Sequence, residues 1–221
     1  GFMHPDVVSY IKLTLPLMVG LTLTFSTEIF SKFFGSYLPA GSIAALNYSL
    51  RVMFILVGLF GQAVGVASYP YLAGLAAKND IKGLNTLLNT TLKFIFLVLP
   101  VSTLFMAAGN EIILLLFQRG AFTAEATAFT SSILPYFMIG AFAFAAQNIV
   151  SRGYYAMQNT LFPTVLSTLS VLISLPVIFV FMKTHGAKGV ALGLSLSAGL
   201  HCLFLFDSLS RKSRNQDTRD V

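Results

Sequence analysis

The sequence is poor in charged residues, and this excludes a water-soluble fold. Only 10% of its 221 residues are charged, against about a quarter in soluble domains. Hydrophobic residues make up 56% of the chain, and several apolar runs are long enough to cross a hydrocarbon core of about 30 Å. The composition therefore predicts an all-α integral membrane protein.

Cysteine and enzyme motifs are also scarce. The single cysteine, Cys202, excludes an internal disulfide and a CxxC metal pattern. The chain has no DDxxD, HExxH, GxSxG or Walker motif. We therefore expect neither an enzyme nor a bound cofactor, and no ATP-driven step within this chain. Coupling to a monovalent cation or to the membrane potential stays open, with no identifiable site.

The apolar pattern predicts six transmembrane helices in a lobe over residues 1–210, followed by a basic, polar cytoplasmic tail over 211–221. Between the third and fourth spans, Ile112 to Phe117 is too short to cross and predicts an interfacial helix. Thr123 predicts the start of the next helix. The predicted spans are Tyr10–Phe34, Ile43–Leu72, Leu87–Ala108, Ala126–Val150, Phe162–Met182 and Val190–Leu209.

The distribution of Lys and Arg predicts that both ends are cytoplasmic. The N-terminal side carries nine of the 14 basic residues and the other side carries four, with Arg51 inside a span. The formal charge of +6 is thus explained by orientation rather than by nucleic-acid binding. The nine are Lys12, Lys78, Lys82, Lys93, Arg152, Arg211, Lys212, Arg214 and Arg219; the four are Lys32, Arg119, Lys183 and Lys188.

Arg51 is the one charge in the long apolar stretch from Gly41 to Leu72. A buried arginine there costs from ~3 to more than ~10 kcal/mol. Its forked donors suit a phosphate or carboxylate in a cavity; a structural ion pair with a neighbouring helix is the alternative.

Glu28 is the candidate partner, because its estimated depth on the adjacent antiparallel span matches that of Arg51. Such a pair could be a substrate-operated switch or a plain structural bridge. The candidate substrate-binding residues are Arg51, Glu28 and Asn47. The other polar residues within spans, Gln62, Gln147, Asn148 and His201, are expected to join helices by hydrogen bonds.

Three motifs resemble the MviN/MurJ lipid II flippases of the multidrug/oligosaccharidyl-lipid/polysaccharide exporter superfamily. They are LPAGSIAALNYSLRV (Leu38 to Val52), LFQRGAFT (Leu116 to Thr123) and YYAMQNTLFP (Tyr154 to Pro163). Their order and spacing resemble the family across nearly the whole chain.

The resemblance implies the second six-helix lobe of a flippase, helices seven to twelve of fourteen. The start GFMHPD, without an initiating methionine, fits a fragment. The lobe would pair with an N-terminal lobe absent here, and Arg51 matches the family arginine that meets the substrate's diphosphate.

The chain departs from the family pattern at several positions. Phe54 stands where the family often has an acid, and Leu56 where it often has proline. The family's acid on the first helix of this lobe falls near Ser31, one turn after Glu28. In place of a polar Asn/Asp pair, helix eleven offers Ser167, Ser170 and Ser174.

The resemblance implies transport of lipid II, a peptidoglycan precursor, across the bacterial cytoplasmic membrane by alternating access. Such a function belongs to cell-wall biogenesis and cell shape. Two alternatives stay open. The cargo could be another polyprenyl-linked oligosaccharide, such as an O-antigen or exopolysaccharide unit, or the chain could be a non-transporting, flippase-like scaffold.

Overall fold

A computed structural model describes residues 26–217, together with Ile11 and Thr14. Every regular element in this part of the chain is helical. The predicted first span begins outside the described residues, and its end is α1. The elements are α1 (Ser26–Gly35), α2 (Ser42–Leu56), a π-helical segment (Val57–Gln62), α3 (Ala63–Ala77), α4 (Ile81–Ile95), α5 (Val98–Ala107), α6 (Gly109–Phe117), α7 (Ala124–Ala156) and α8 (Leu161–Asp217).

Four continuous helical stretches are long and apolar enough to cross a membrane: Ser42–Ala77, Ile81–Ala107, Ala124–Ala156 and Leu161–Arg211. The last has 51 residues, about 77 Å at ~1.5 Å per residue, which is more than twice a bilayer core. Gly186, with φ 59° and ψ −134°, breaks it into two arms, 161–185 and 187–217. With α1, the described helices agree with the prediction of an all-α lobe of six spans.

Local signals explain where several elements begin. The short helix predicted at Ile112 to Phe117 lies within α6; its outer location stays a prediction. Thr123 caps α7, its hydroxyl accepting a hydrogen bond from the Ala126 amide at 3.2 Å. The predicted start of the third span at Leu87 is wrong, because the Asp80 side chain caps the helix earlier by accepting from the Gly83 amide at 2.8 Å.

The long helix α7 is the centre of the lobe. It packs against α2, the π segment, α3, α4, α5, α6 and α8. Small residues allow this close approach: a Cβ at Gly140 would lie 2.9 Å from the Cα of Ser195, whose hydroxyl donates to the Tyr136 carbonyl at 2.7 Å. The remaining sides of the lobe then leave room for a cleft.

Candidate substrate-binding cleft

A cleft of about 340 Å³ opens between α1, α2, the π segment, α7 and both arms of α8. We call it the polar cleft; its walls run from Thr27 and Phe54 to Arg152, Tyr155 and His201. Many residues between these ends carry hydroxyl or amide side chains. Arg152 and His201 are the basic residues of the lining, which contains no carboxylate. Its composition therefore suits a polar or anionic group.

Two of the polar residues in this wall join helices, as predicted. The Gln147 amide on α7 donates to the Ala198 carbonyl on α8. The His201 Nε2 lies 3.4 Å from the Ser167 hydroxyl and so connects the two arms of α8. Asn148 instead donates to the Phe144 carbonyl of its own helix at 2.9 Å.

Arg51 lies on α2, one turn before the cleft residue Phe54, and is not itself part of the lining of either cavity. It is exposed on α2, and its Nε donates to the Asn47 side-chain oxygen one turn earlier, at 3.3 Å. Phe54, one turn later on the same face, lines the cleft. In the described part of the chain no carboxylate lies within ion-pair distance of Arg51. Its guanidinium is therefore available to an anionic ligand.

Glu28 has a different partner from the one proposed for it. Its carboxylate pairs with the Lys32 ammonium of the same helix at 2.7 Å. Arg51 acts on that carboxylate only as a weaker, longer-range charge. The structure thus brings Arg51 and Asn47 together and places Glu28 nearby, while coupling between Glu28 and Arg51 stays a prediction.

Several positions that depart from the family pattern are packed against other side chains, buried, or hydrogen-bonded within their own helix. Phe54 makes an edge-to-face contact with Phe144, with ring centroids 6.0 Å apart. The Ser167 and Ser174 hydroxyls donate to carbonyls of their own helix at 2.8 and 2.7 Å. Ser31 is buried, and its hydroxyl has no partner among the described residues. Across those residues no cluster of His, Cys, Asp or Glu could hold a metal ion.

Sequence reasoning missed Arg152, which it counted only as an orienting charge. The structure places Arg152 in the polar cleft, against a bare stretch of α3: a Cβ at Gly65 would lie 2.6 Å from its Nε. No sequence signal separates it from the basic residues that commonly end a span on the cytoplasmic side.

A second cavity, of about 830 Å³, lies near the outer loop between α6 and α7. Tyr48 contacts the rings of Phe117 and Phe122, at centroid distances of 4.7 and 5.1 Å. These contacts pack the end of α6 and the following loop against α2, the helix that carries Arg51.

The chain was compared with known proteins. The family model described as "Lipid II flippase MurJ" matches residues 1–221. The "Probable lipid II flippase MurJ" of Rhizobium tropici is 28% identical over 216 residues, which cover 96% of this chain and 40% of the relative. That of Vibrio cholerae serotype O1 is 27% identical over 210 residues, 95% of this chain and 40% of the relative. The chain thus spans about 40% of the length of these relatives.

Solved structures agree with this likeness. A structure titled "Lipid II flippase MurJ, inward closed conformation" matches 95% of this chain and 45% of its own, with a TM-score of 0.80 and 27% identity. An outward-facing transporter of the MATE family, in the MOP superfamily, matches 88% of this chain and 43% of its own, with a TM-score of 0.74 and 18% identity. The second likeness shows the fold alone.

The family model covers the whole chain, and the sequence and structural relatives agree with it. The family is one of multi-pass membrane transporters rather than enzymes. This chain belongs to the MurJ lipid II flippase family.

Proposed function

We propose that this chain is the second lobe of a flippase that moves lipid II from the cytoplasmic to the outer face of the bacterial cytoplasmic membrane. The relatives named as lipid II flippases support the cargo. The observation that carries the proposal is the exposed Arg51 guanidinium, one turn along α2 from Phe54 of a cleft whose lining has no carboxylate. Such a cation favours a ligand that brings its own negative charge.

In this proposal the cargo's diphosphate binds Arg51 between this lobe and an N-terminal partner lobe. The planar guanidinium can donate two parallel hydrogen bonds to phosphate oxygens, which a lysine ammonium cannot. Asn47 accepts from Nε and orients the group, leaving the terminal nitrogens for the ligand. The two lobes rock about the site in alternating access, while the lipid tail stays in the bilayer.

Both ends of the chain are assigned to the cytoplasmic side in this proposal. The excess of Lys and Arg on that side supports the assignment. The Lys78–Lys82 loop and the inner ends of α7 and α8 then face the cytoplasm, and α6 faces outward. Arg51 lies in the outer half of its span.

Substitution of Arg51 in the full-length protein tests the proposal. Arg51→Ala should abolish lipid II flipping with near-normal expression, and Arg51→Lys should retain a reduced rate because the charge stays but the fork is lost. The measurements are complementation of a flippase-depleted strain and flipping of lipid II in proteoliposomes. Arg211→Ala, which removes an exposed arginine outside both cavity linings, is the matched control and should behave as wild type.

The outcomes separate an error in the proposed cargo from an error in the proposed binding site. Full complementation by Arg51→Ala would overturn the role of Arg51. Arg51-dependent flipping of another polyprenyl-diphosphate oligosaccharide, with none of lipid II, would keep the site and change the cargo. A full-length protein that flips neither lipid would instead favour the scaffold alternative.

A further inference from the structure

Arg152 is a cation without a partner in the described part of the chain. Its Nε is sealed from solvent and makes no hydrogen bond there, and neither described ion pair includes it. A buried, unpaired donor on a charged group is costly, so groups of this kind usually have a partner. The side chain also lines the polar cleft, where a ligand could supply one.

The position of Arg152 depends on the glycine at position 65, which has no side chain. A Cβ at Gly65 would lie 2.6 Å from Nε and 3.0 Å from Cδ of Arg152. Gly65 lies inside α3, so no turn requires a glycine at this position. The arginine therefore packs directly against the backbone of α3 at Gly65.

The surroundings favour an anion over other ligands. Ser151 and Tyr155 line the same end of the cleft and carry hydroxyl groups, and Gln62 carries an amide. With no carboxylate in the lining, the cleft offers donors and a positive charge. Phosphate oxygens match the forked geometry of a guanidinium.

Arg152 and Arg51 lie at different levels of the helical stretch Ser42–Ala77, which carries Arg51 and contacts Arg152 at Gly65. Gly65 fixes the level of Arg152, and Arg51 precedes Gly65 by roughly 20 Å along the helix at ~1.5 Å per residue. Arg152 is one turn from the end of α7 at Ala156, on the side assigned to the cytoplasm. In the proposed orientation, this end of the cleft is the one nearer the headgroups of the inner leaflet.

We propose that Arg152, seated on Gly65, binds a lipid-borne phosphate at the inner end of the polar cleft and receives the cargo's diphosphate before Arg51 does. The assignment of the diphosphate rests on the proposed function; the phosphate site does not. The alternative source of the same chemistry is the headgroup of an anionic bilayer phospholipid.

The experiment uses the full-length protein in nanodiscs, with native mass spectrometry as the binding measurement. One arm adds a polyprenyl diphosphate to discs of neutral lipid, and the other adds phosphatidylglycerol. Arg152→Gln should weaken binding of the polyprenyl diphosphate at least about tenfold, as expected for loss of a charge-assisted bidentate contact. Arg211→Gln removes an exposed arginine of the same charge and should leave binding unchanged.

Gly65→Ala provides a variant that keeps the charge. The arginine is flexible and can move away from the new methyl group. The protein should therefore still fold, but Arg152 should lose its packing against the α3 backbone. We expect weaker binding, as in Arg152→Gln. Gly74→Ala on the same helix, where a Cβ would meet nothing within 4 Å, should bind as wild type.

Binding of both lipids at wild-type strength by Arg152→Gln would overturn the site. Loss of phosphatidylglycerol binding alone would keep a phosphate site and overturn its role in cargo entry. If Arg51→Ala flips lipid II normally while Arg152→Gln loses lipid binding, the assigned role of Arg51 fails and the inner site stands.

Discussion

Arg51 and Arg152 are held in different ways. Arg51, which is outside the cleft lining, is exposed and bonded only to Asn47 of its own helix. Arg152, inside the cleft, crosses from α7 to lie on Gly65 of α3, with its Nε sealed from solvent. The outer cation depends on one helix, whereas the inner one depends on the packing of two.

This difference teaches how each arginine can respond to a ligand. Arg51 can change rotamer without disturbing packing, because it is exposed on α2. Arg152 already packs against Gly65 before a ligand arrives, which lowers the ordering cost of binding. In the proposed orientation, a packed inner site and an exposed outer site suit a cargo that enters at one end and must leave at the other.

The π-helical segment Val57–Gln62 lies between these two sites. Such segments are rare and frequent at functional sites. Its Gly61 packs on α7 so closely that a Cβ would lie 2.7 Å from the Cα of Ala145. The helical stretch between Arg51 and Gly65 is thus packed tightly against α7 at Gly61.

The orientation of the lobe gives the largest expected effect, because it decides which site is inner. In a cysteine-free full-length protein carrying Cys202→Ala, His185→Cys should react with a membrane-impermeant maleimide in intact cells. Lys78→Cys should react only after permeabilisation. Both positions are exposed. Lys78 is the C-cap of α3 through its backbone amide, a contact that a cysteine retains. The reverse labelling pattern would exchange the inner and outer sites.

Disturbing the close contact between Gly61 and α7 gives the next largest expected effect. Gly61→Ala should destabilise the protein by about 1–3 kcal/mol, because its methyl group meets α7 backbone that cannot swing away. Gly58→Ala in the same segment meets nothing within 4 Å and should be neutral or slightly stabilising. Thermal unfolding in detergent measures both. Equal melting temperatures would mean that the wall is not held at Gly61.

The sequence predicted the helical class and the six spans, since long apolar runs are local signals, whereas the role of Arg51 in substrate binding stays a prediction. Arg51 stands out because nothing near it in the sequence is charged. Arg152 escaped notice because basic residues commonly end a span on the cytoplasmic side. Its distinguishing feature, the contact with Gly65, joins residues far apart in the chain and exists only after helix packing.

Glu28 was paired with Arg51 from estimated depth alone, which overlooked a competitor one turn away. The Glu28–Lys32 pair is local, at 2.7 Å, and spacing of this kind is visible in the sequence. Depth estimates ignore side-chain reach, so the nearer lysine was missed. Likewise, the departure from the family pattern at Phe54 is explained only by the ring contact that Phe54 makes with Phe144.

The smallest expected effect concerns this competition for Glu28. We expect Glu28→Gln and Arg51→Gln to be coupled by only about 0.5 kcal/mol in the affinity for a polyprenyl diphosphate, because Lys32 already holds the carboxylate and exposed pairs are weak. In a Lys32→Gln background the carboxylate loses that partner and should turn to Arg51, so the coupling should increase. A double-mutant cycle in each background, with affinities measured in nanodiscs, gives both values. Strict additivity in both backgrounds would show that Glu28 plays no part in the outer site, and that Asn47 alone orients the guanidinium.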